Sequence, residues 1–441
     1  MNALERLESL VVAARAAGAD AADALLVSGT SLSVQRRLGR IEHLERSEGF
    51  DLGLRVFVGQ RQAIVSTTDP EPRGFEALAG RAVAMARAVP EDRFGGLGEF
   101  HPPQSADLDL DDPAEPEAEA LIARAAAAEE AAMAVPGITN SEGAEAGFSR
   151  SRVALVASNG FAGEYSRSGH STMVTVLAGS GTAMERDYDH SSAVHLSDLE
   201  DAAELGRCAG ERAVKRLNAI RPRSARMPVV FDPRVAGSFA AHLAGALNGA
   251  SVARGTSFLR DRMGQQVLAR GLSLRDDPLR RRGLRSRPFD GEGMPCQPLA
   301  LVEDGVLQHW VLDWRSGRQL GLRSNGRAAR GISSPPGPAT TNLWLDGGTM
   351  TPEALRADIA EGLYVTEMIG SGVNGVTGDY SRGAAGFMIR NGELAEAVSG
   401  ITVAGNLKDM FLNMAAANDL RFRRGTDAPT LRIEGLTVAG A

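Results

Sequence analysis

Residues 369–409, IGSGVNGVTGDYSRGAAGFMIRNGELAEAVSGITVAGNLKD, decide how this chain is read. They run from a strand end through a glycine-dense loop into a hairpin and a helix start. Gly375, Gly378, Gly383 and Gly386 surround Asp379, Tyr380, Ser381 and Arg382. Glycine tolerates positive φ and close backbone approach, so such a loop can set polar side chains beside a bound chain or cofactor. Gly370, Gly372 and Gly375 also spell GxGxxG, with Glu393 at the distance of a ribose-binding acid. A dinucleotide fold needs a helix N-terminus directly after those glycines, and Gly378, Gly383 and Gly386 forbid one. The dinucleotide reading fails.

Outward from this block, ALVEDGVLQHWVL and FMIRNGELAEAV each place Asp-Gly or Asn-Gly between apolar runs, a strong hairpin signal. LYVTEMI reads as a buried strand feeding the glycine loop, PVVFD as a short strand, and RVAGSFAAHLAGALNG as a small-residue helix. Thr351 and Pro352 suit an N-cap and first helical turn, and NLKDMFLNMAAA predicts a late helix. In the first half, Leu4, Leu7, Leu10, Val11 and Ala14 recur at helical spacing until Gly18. ADALLVSG, TSLSVQRRLG, IEHLERS, GFDLGLRVFVG and RQAIVSTT read as short strands joined by turns. Helices are predicted over 72–89, 117–134 and 198–217, with successive hairpins between the last two. Residues 90–116 form a Pro-, Gly- and Asp-rich connector whose acidic run, 107–112, reads as a solvated loop. The chain changes character at Arg221 and Pro222. The predicted class is α/β (α+β): an N-terminal mixed domain over 1–220 and a β-rich domain with a few packed helices over 221–441.

At 441 residues, 43% hydrophobic and 23% charged, the composition is that of a globular protein with a large core. A net charge of −7 gives no basic field to recruit nucleic acid. Arg280, Arg281, Arg282, Arg285 and Arg287 form a local basic run flanked by Asp276, Asp277, Asp290 and Glu292, which reads as a solvated loop. Cys208 and Cys296 are the only cysteines, so neither a disulfide framework nor a cysteine-rich zinc site is available. The N-terminus lacks the basic and apolar regions of a secretory signal. No run reaches the about 18–20 apolar residues of a membrane span. The expected location is cytoplasmic.

No Gly-x-Ser-x-Gly elbow or phosphate-binding P-loop occurs. His190 and His195 in ERDYDHSSAVH lie among Glu185, Asp187 and Asp189, residue types that can ligate zinc. The general-base Glu of a zinc-peptidase helix is missing there, so the segment reads as a surface strand end. His242 sits on the small-residue helix and reads as a packed or interface histidine.

GDYSRGAAGF and ITVAGNLKDM, together with GLRVFVGQRQAIVSTTD, GTSFLRD, RPFDGEG and GVLQHWVLD, resemble the PmbA/TldE branch of the TldD/PmbA family of metallopeptidase-type proteins. The TldD side of that family carries His-Glu-x-x-x-His on the matching helix and a C-terminal cysteine ligand. Alignment of the helix puts Ala241, His242 and Ala246 at those positions, and the last stretch, NDLRFRRGTDAPTLRIEGLTVAG, has no cysteine. The resemblance therefore implies no metal and no catalytic residue in this chain. It implies a TldD-like partner subunit that supplies zinc, as a Lewis acid with a general-base Glu, and a shared chamber for unfolded or extended peptides. Asp379, Tyr380, Ser381 and Arg382 are the candidate peptide-binding residues, through strand addition or as a loop-holding turn. His242 and Arg254, with Asp261, are candidates for an interface or pocket. Two alternatives stand beside this: an autonomous peptidase using His190, His195 and Asp187, or a non-enzymatic peptide-binding homodimer formed when the chain is alone.

Overall fold

A computed structural model describes residues 1–102 and 107–440. Helix α1 (Ala3–Ala16) begins with a reciprocal cap: Glu5 N donates to Asn2 Oδ1 at 2.9 Å and Asn2 N to Glu5 Oε2 at 2.8 Å. Strands β1 (Ala21–Arg37), β2 (Arg40–Val58) and β3 (Arg61–Thr67) follow, then α2 (Phe75–Ala88) and α3 (Ala118–Met133). Strands β4 (Ile138–Ala157), β5 (Ala162–Ala178) and β6 (Glu185–Ala193) and helix α4 (Ala202–Lys215) complete the N-terminal half. The six strands form one antiparallel sheet in the order β3-β2-β1-β4-β5-β6. Leu7, Leu10, Ala79 and Val83 of α1 and α2 pack with Leu52 and Leu54 over one end. Leu121, Ala125 and Ala209 of α3 and α4 pack with Phe148 and Val174 over the other.

The first strands are fewer and longer than the sequence predicts. ADALLVSG and TSLSVQRRLG are one strand, because Gly29 is no turn but a point of close approach. A Cβ there would lie 2.6 Å from the Arg150 carbonyl of β4. β2 likewise runs unbroken through Glu48, Gly49 and Phe50.

The C-terminal half contains β7 (Ala225–Phe231), α5 (Pro233–Ala246), β8 (Glu361–Ile369), β9 (Asp379–Arg390), β10 (Glu393–Asn406) and β11 (Leu431–Ala439). These strands pair β10-β9-β8-β7-β11, and β11 pairs back onto β10 through Thr402 with Ala439 and Ala404 with Thr437. The sheet thus closes on itself over residues 402–404 and 437–439. Asn391 (φ 48°) and Gly392 (φ 81°) make the predicted β9–β10 turn, and Asp304 with Gly305 makes the second such hairpin. Pro233 opens α5 behind the Asp232 cap, and Phe239 and Leu243 bury its inner face in the largest core. A smaller sheet built from Leu274–Asp277, Leu299–Glu303, Val306–Leu307, Asn342–Leu345 and Thr426–Asp427 shares that core. The late helix is only Leu407–Leu412; Met414–Ala416 then pairs with β11.

Arginine–carboxylate contacts join the two halves. Asp23 of β1 accepts from Arg55 Nε at 2.9 Å and from Arg330 Nη1 of the C-terminal half at 2.5 Å. Asp23 is 1% exposed and Arg55 3%. Arg234 of α5 reaches Asp187 of β6 at 2.6 Å, and Arg315 reaches Asp92 at 2.6 Å. The two stretches expected to be solvated loops belong to this seam. Arg282 Nε lies 2.6 Å from Asp109, which also meets His195 Nε2 at 3.1 Å, and buried Asp112 pairs with His170 at 3.1 Å. Charge runs read as solvated faces here meet an opposite run from the other half. Glu292 and Asp290 also lie buried at the seam; the Asp290 carboxylate accepts from the Glu292, Met294 and Ala328 amides, each at 2.9 Å.

Two outcomes follow. Asp23→Ala leaves the buried Arg330 guanidinium unpaired and Arg55 with only Glu292, at 3.8 Å, so urea denaturation should show a loss of about 3–5 kcal/mol; a loss under about 1 kcal/mol contradicts the clamp. Burial and the neighbouring Asp290 push Glu292 up to about 8 from 4.5, so the protonated form is the one that folding favours. The stability it contributes is intact below pH 4.5 and lost as pH rises towards about 8. Thermal unfolding of Glu292→Gln across that range should show a flatter decline than the parent.

Candidate functional site

The glycine loop is shorter than the sequence suggests: it covers 370–378, and β9 starts at Asp379. Asn374 Oδ1 accepts from the Val376 and Thr377 amides at 2.9 and 3.2 Å, which folds the loop back on itself. Asp379 is held by Thr377 Oγ1 at 2.6 Å and Asn406 Nδ2 at 3.0 Å. These hydrogen bonds stabilise the ionised carboxylate and keep its pKa below the ordinary range. Arg382 Nε donates to the Gly370 carbonyl at 2.8 Å. Asp379 and Arg382 therefore brace the loop, the turn-holding role that was the alternative reading.

Several of the glycines serve strand packing rather than access for a ligand. A Cβ on Gly386 would lie 1.9 Å from the Tyr364 carbonyl, and one on Gly372 would lie 1.9 Å from the Ser381 carbonyl. The start of β9 is also paired on both sides, with 403–406 of β10 and, through Ser381 N to Gly372 O at 2.7 Å, with the loop. Strand addition at Asp379, Tyr380, Ser381 and Arg382 has no free edge to use. Ser381 is the member of the four with an exposed side chain and no bracing role.

Tyr380 points inward. It is 2% exposed, 5.7 Å from the Phe239 ring and 6.0 Å from the His242 ring. Burial pushes its phenol up to about 12, and its hydroxyl lacks a hydrogen-bond partner. His242 Nε2 is also buried without a partner. Burial, then the Arg382 charge, brings His242 down to about 4, so it is a neutral packed imidazole. The sequence separated His242 from Tyr380; the fold brings them together against Phe239. Arg254 stands apart, exposed at the end of helix Gly249–Ala253.

The residues missed by sequence reasoning lie across the loop. A cavity of about 420 Å³ is lined by Phe258, Arg260, Asp261, Arg262, Val376 and Lys408, among others. The Phe258 amide donates to the Gly375 carbonyl at 3.1 Å, tying the 255–265 segment to the loop. Three cations against one carboxylate suit a ligand bearing carboxylates or carbonyls. The one forewarning in the sequence was the GTSFLRD segment, from which only Asp261 was singled out.

The other histidine candidates do not converge. In β6, Asp187 and Asp189 share the buried face while His190 faces the other way. Asp187 is taken by Arg234, and His195 by Asp109. Among the described residues, no group of three or more His, Cys, Asp and Glu side chains is arranged to hold a metal ion. On α5, Ala241 is exposed and Ala246 is 5% exposed. Neither methyl group can donate to a metal, so the TldD-type zinc arrangement does not fit this helix.

A closed strand ring with one core helix, joined by arginines to a helix-covered antiparallel sheet, defines a two-part α+β architecture with a basic, glycine-bordered cleft. The chain matches the family models for PmbA/TldA metallopeptidase domain 1 over residues 22–86, the central domain over 111–217 and the C-terminal domain over 224–440. It belongs to the PmbA/TldD family. Metalloprotease PmbA of Escherichia coli O157:H7 is 34% identical over 441 residues, covering 99% of this chain and 96% of that protein. A Haemophilus influenzae PmbA homolog is 35% identical, covering 96% and 93%. The crystal structure of TldE from Thermococcus kodakarensis has a TM-score of 0.88 at 18% identity, covering 99% of this chain and 100% of that one, which is a likeness of fold.

If the Tyr380 hydroxyl is an unpaired buried group, Tyr380→Phe should leave stability unchanged or raise it by up to about 1 kcal/mol in denaturant unfolding. A loss of more than about 1 kcal/mol would mean that the hydroxyl has a partner.

Proposed function

We propose that this chain is the metal-free, PmbA/TldE-like subunit of a two-subunit metallopeptidase, and that a TldD-like partner supplies zinc for cleavage of extended peptides. The observation that carries the proposal is the side-chain inventory of α5: Ala241, His242 and Ala246 stand where the resemblance places the ligand and base side chains. His242 is held neutral, and its free nitrogen is buried against Tyr380 rather than presented to a substrate. Helix α5 is packed through Phe239 and Leu243 but offers no metal donor at 241 or 246.

Its own contribution is to binding. Arg260, Arg262 and Lys408 can meet the carboxylates and carbonyls of a peptide, while Phe258 and Val376 offer apolar contact. The braced loop keeps Val376 in place beside them. These groups discriminate weakly among side chains, which suits an unfolded substrate. The expected compartment is the cytoplasm.

Zinc content and peptide cleavage should be measured for the chain alone, for a TldD-like subunit alone and for the pair. The expected outcome is cleavage only when the TldD-like subunit is present, and far less than one zinc per copy of this chain. Lys408→Glu should raise KM of the pair several-fold with little change in kcat, as expected for lost substrate binding. Stoichiometric zinc and chelator-sensitive cleavage by the chain alone would refute the proposal. A chain that binds peptide but never supports cleavage by any partner would instead favour the peptide-binding homodimer.

A further inference from the structure

We infer that the arginine-lined cavity between the two halves, beside Arg280 and Phe422, binds a small ligand through a phosphate group. The cavity holds about 330 Å³, a volume that suits a small molecule. Residues 192–194 and Asp198 of the N-terminal half form one wall, and Arg280, Arg281, Arg282, Phe422 and Asp427 form the other. It shares no lining residue with the cleft beside the glycine loop.

Arg280 carries the inference. Its guanidinium carbon lies 3.3 Å from the centre of the Phe422 ring, and Trp344 meets that ring edge-on at 5.3 Å. The stack holds the guanidinium plane in place. Among the described residues, however, the Arg280 side chain has no ion pair and no hydrogen bond, and it lines the cavity. Burial keeps its pKa below the ordinary guanidinium value, and the charges of Asp427 and Asp277 oppose that shift from a distance. A half-buried cation without a close partner is costly, and an anion in the cavity would offset that cost.

The neighbouring groups select a phosphate. Arg281 Nη2 lies 3.0 Å from Asp109, while Arg282 directs Nε to Asp109 at 2.6 Å and Nη1 to Asp198 at 3.1 Å. Among the described residues, Arg281 Nε and Nη1 and Arg282 Nη2 have no acceptor. Three guanidinium groups on one wall suit a tetrahedral dianion, whose oxygens can accept from several planar donors at once. A carboxylate, with two oxygens, satisfies fewer. The acidic side chains of the cavity are already engaged. Asp198 pairs with Arg282, and Asp427 Oδ1 accepts from the Arg423 and Arg424 amides at 3.0 Å each. Both halves supply walls, so a bound phosphate also ties the seam. The inference is independent of the metal-free reading and of the peptide cleft.

Calorimetric titration of the full chain tests it, with inorganic phosphate and glycerol 3-phosphate as probes. Salt of about 0.15 M screens loose attraction to exposed charges. At least one probe should bind saturably, one per chain, and raise the melting temperature. Tighter binding of the ester identifies an organic phosphate as the ligand; equal or tighter binding of inorganic phosphate identifies the free ion. Arg280→Gln should weaken binding about ten-fold or more and abolish the rise in melting temperature. Arg280→Lys, which keeps the charge and loses the planar fork, should weaken it several-fold. Arg281→Gln changes a side chain that is 63% exposed, and should also weaken binding several-fold in a chain that melts like the parent. Arg46→Gln, on the exposed part of β2, should bind as the parent does. The inference is overturned by a lack of saturable binding of both probes, by binding indifferent to Arg280→Gln and Arg281→Gln, or by acetate binding as tightly as phosphate.

Discussion

The buried carboxylate of Asp23 is the constraint on which the rest depends. It lies between Arg55 of its own sheet and Arg330 of the other half, where none of the three can be hydrated. Charges removed from water must be paired with good geometry, so the two halves can sit in one relation only. Arg234 with Asp187 and Arg282 with Asp109 repeat the device along the same seam. Hydrophobic burial drives each half to fold, and the seam of ion pairs fixes how the halves meet. Within the C-terminal half, the ring of strands and α5 share one core.

Much of this was legible in the sequence. The helical spacing of Leu7, Leu10, Val11 and Ala14, the Asn391–Gly392 turn and the Thr351–Pro352 helix start each rest on a local rule, and each is found in place. What failed was non-local. Gly29, Gly372 and Gly386 carry the same letter as turn glycines, yet they exist to admit a neighbouring carbonyl supplied from elsewhere in the chain. The acidic run 107–112 and the arginines at 280–282 each look solvated when read alone; only their mutual contact explains them.

The candidate site was legible in part. The block around Asp379 was identified, but its residues divide by orientation, which a sequence does not display. Asp379 and Arg382 hold the loop, Tyr380 enters the core, and Ser381 remains outside. The cleft across the loop draws Arg260, Arg262 and Lys408 from segments far apart in the chain, so no motif announced it.

The proposed function turns on α5, where Ala241 and Ala246 carry methyl groups that cannot ligate a metal. The most direct measurement is anomalous scattering at the zinc absorption edge from crystals of this chain assembled with a TldD-like subunit. The account predicts a strong zinc peak in the TldD-like subunit and none within bonding distance of residues 241–246 of this chain. A zinc peak seated on α5 would contradict it.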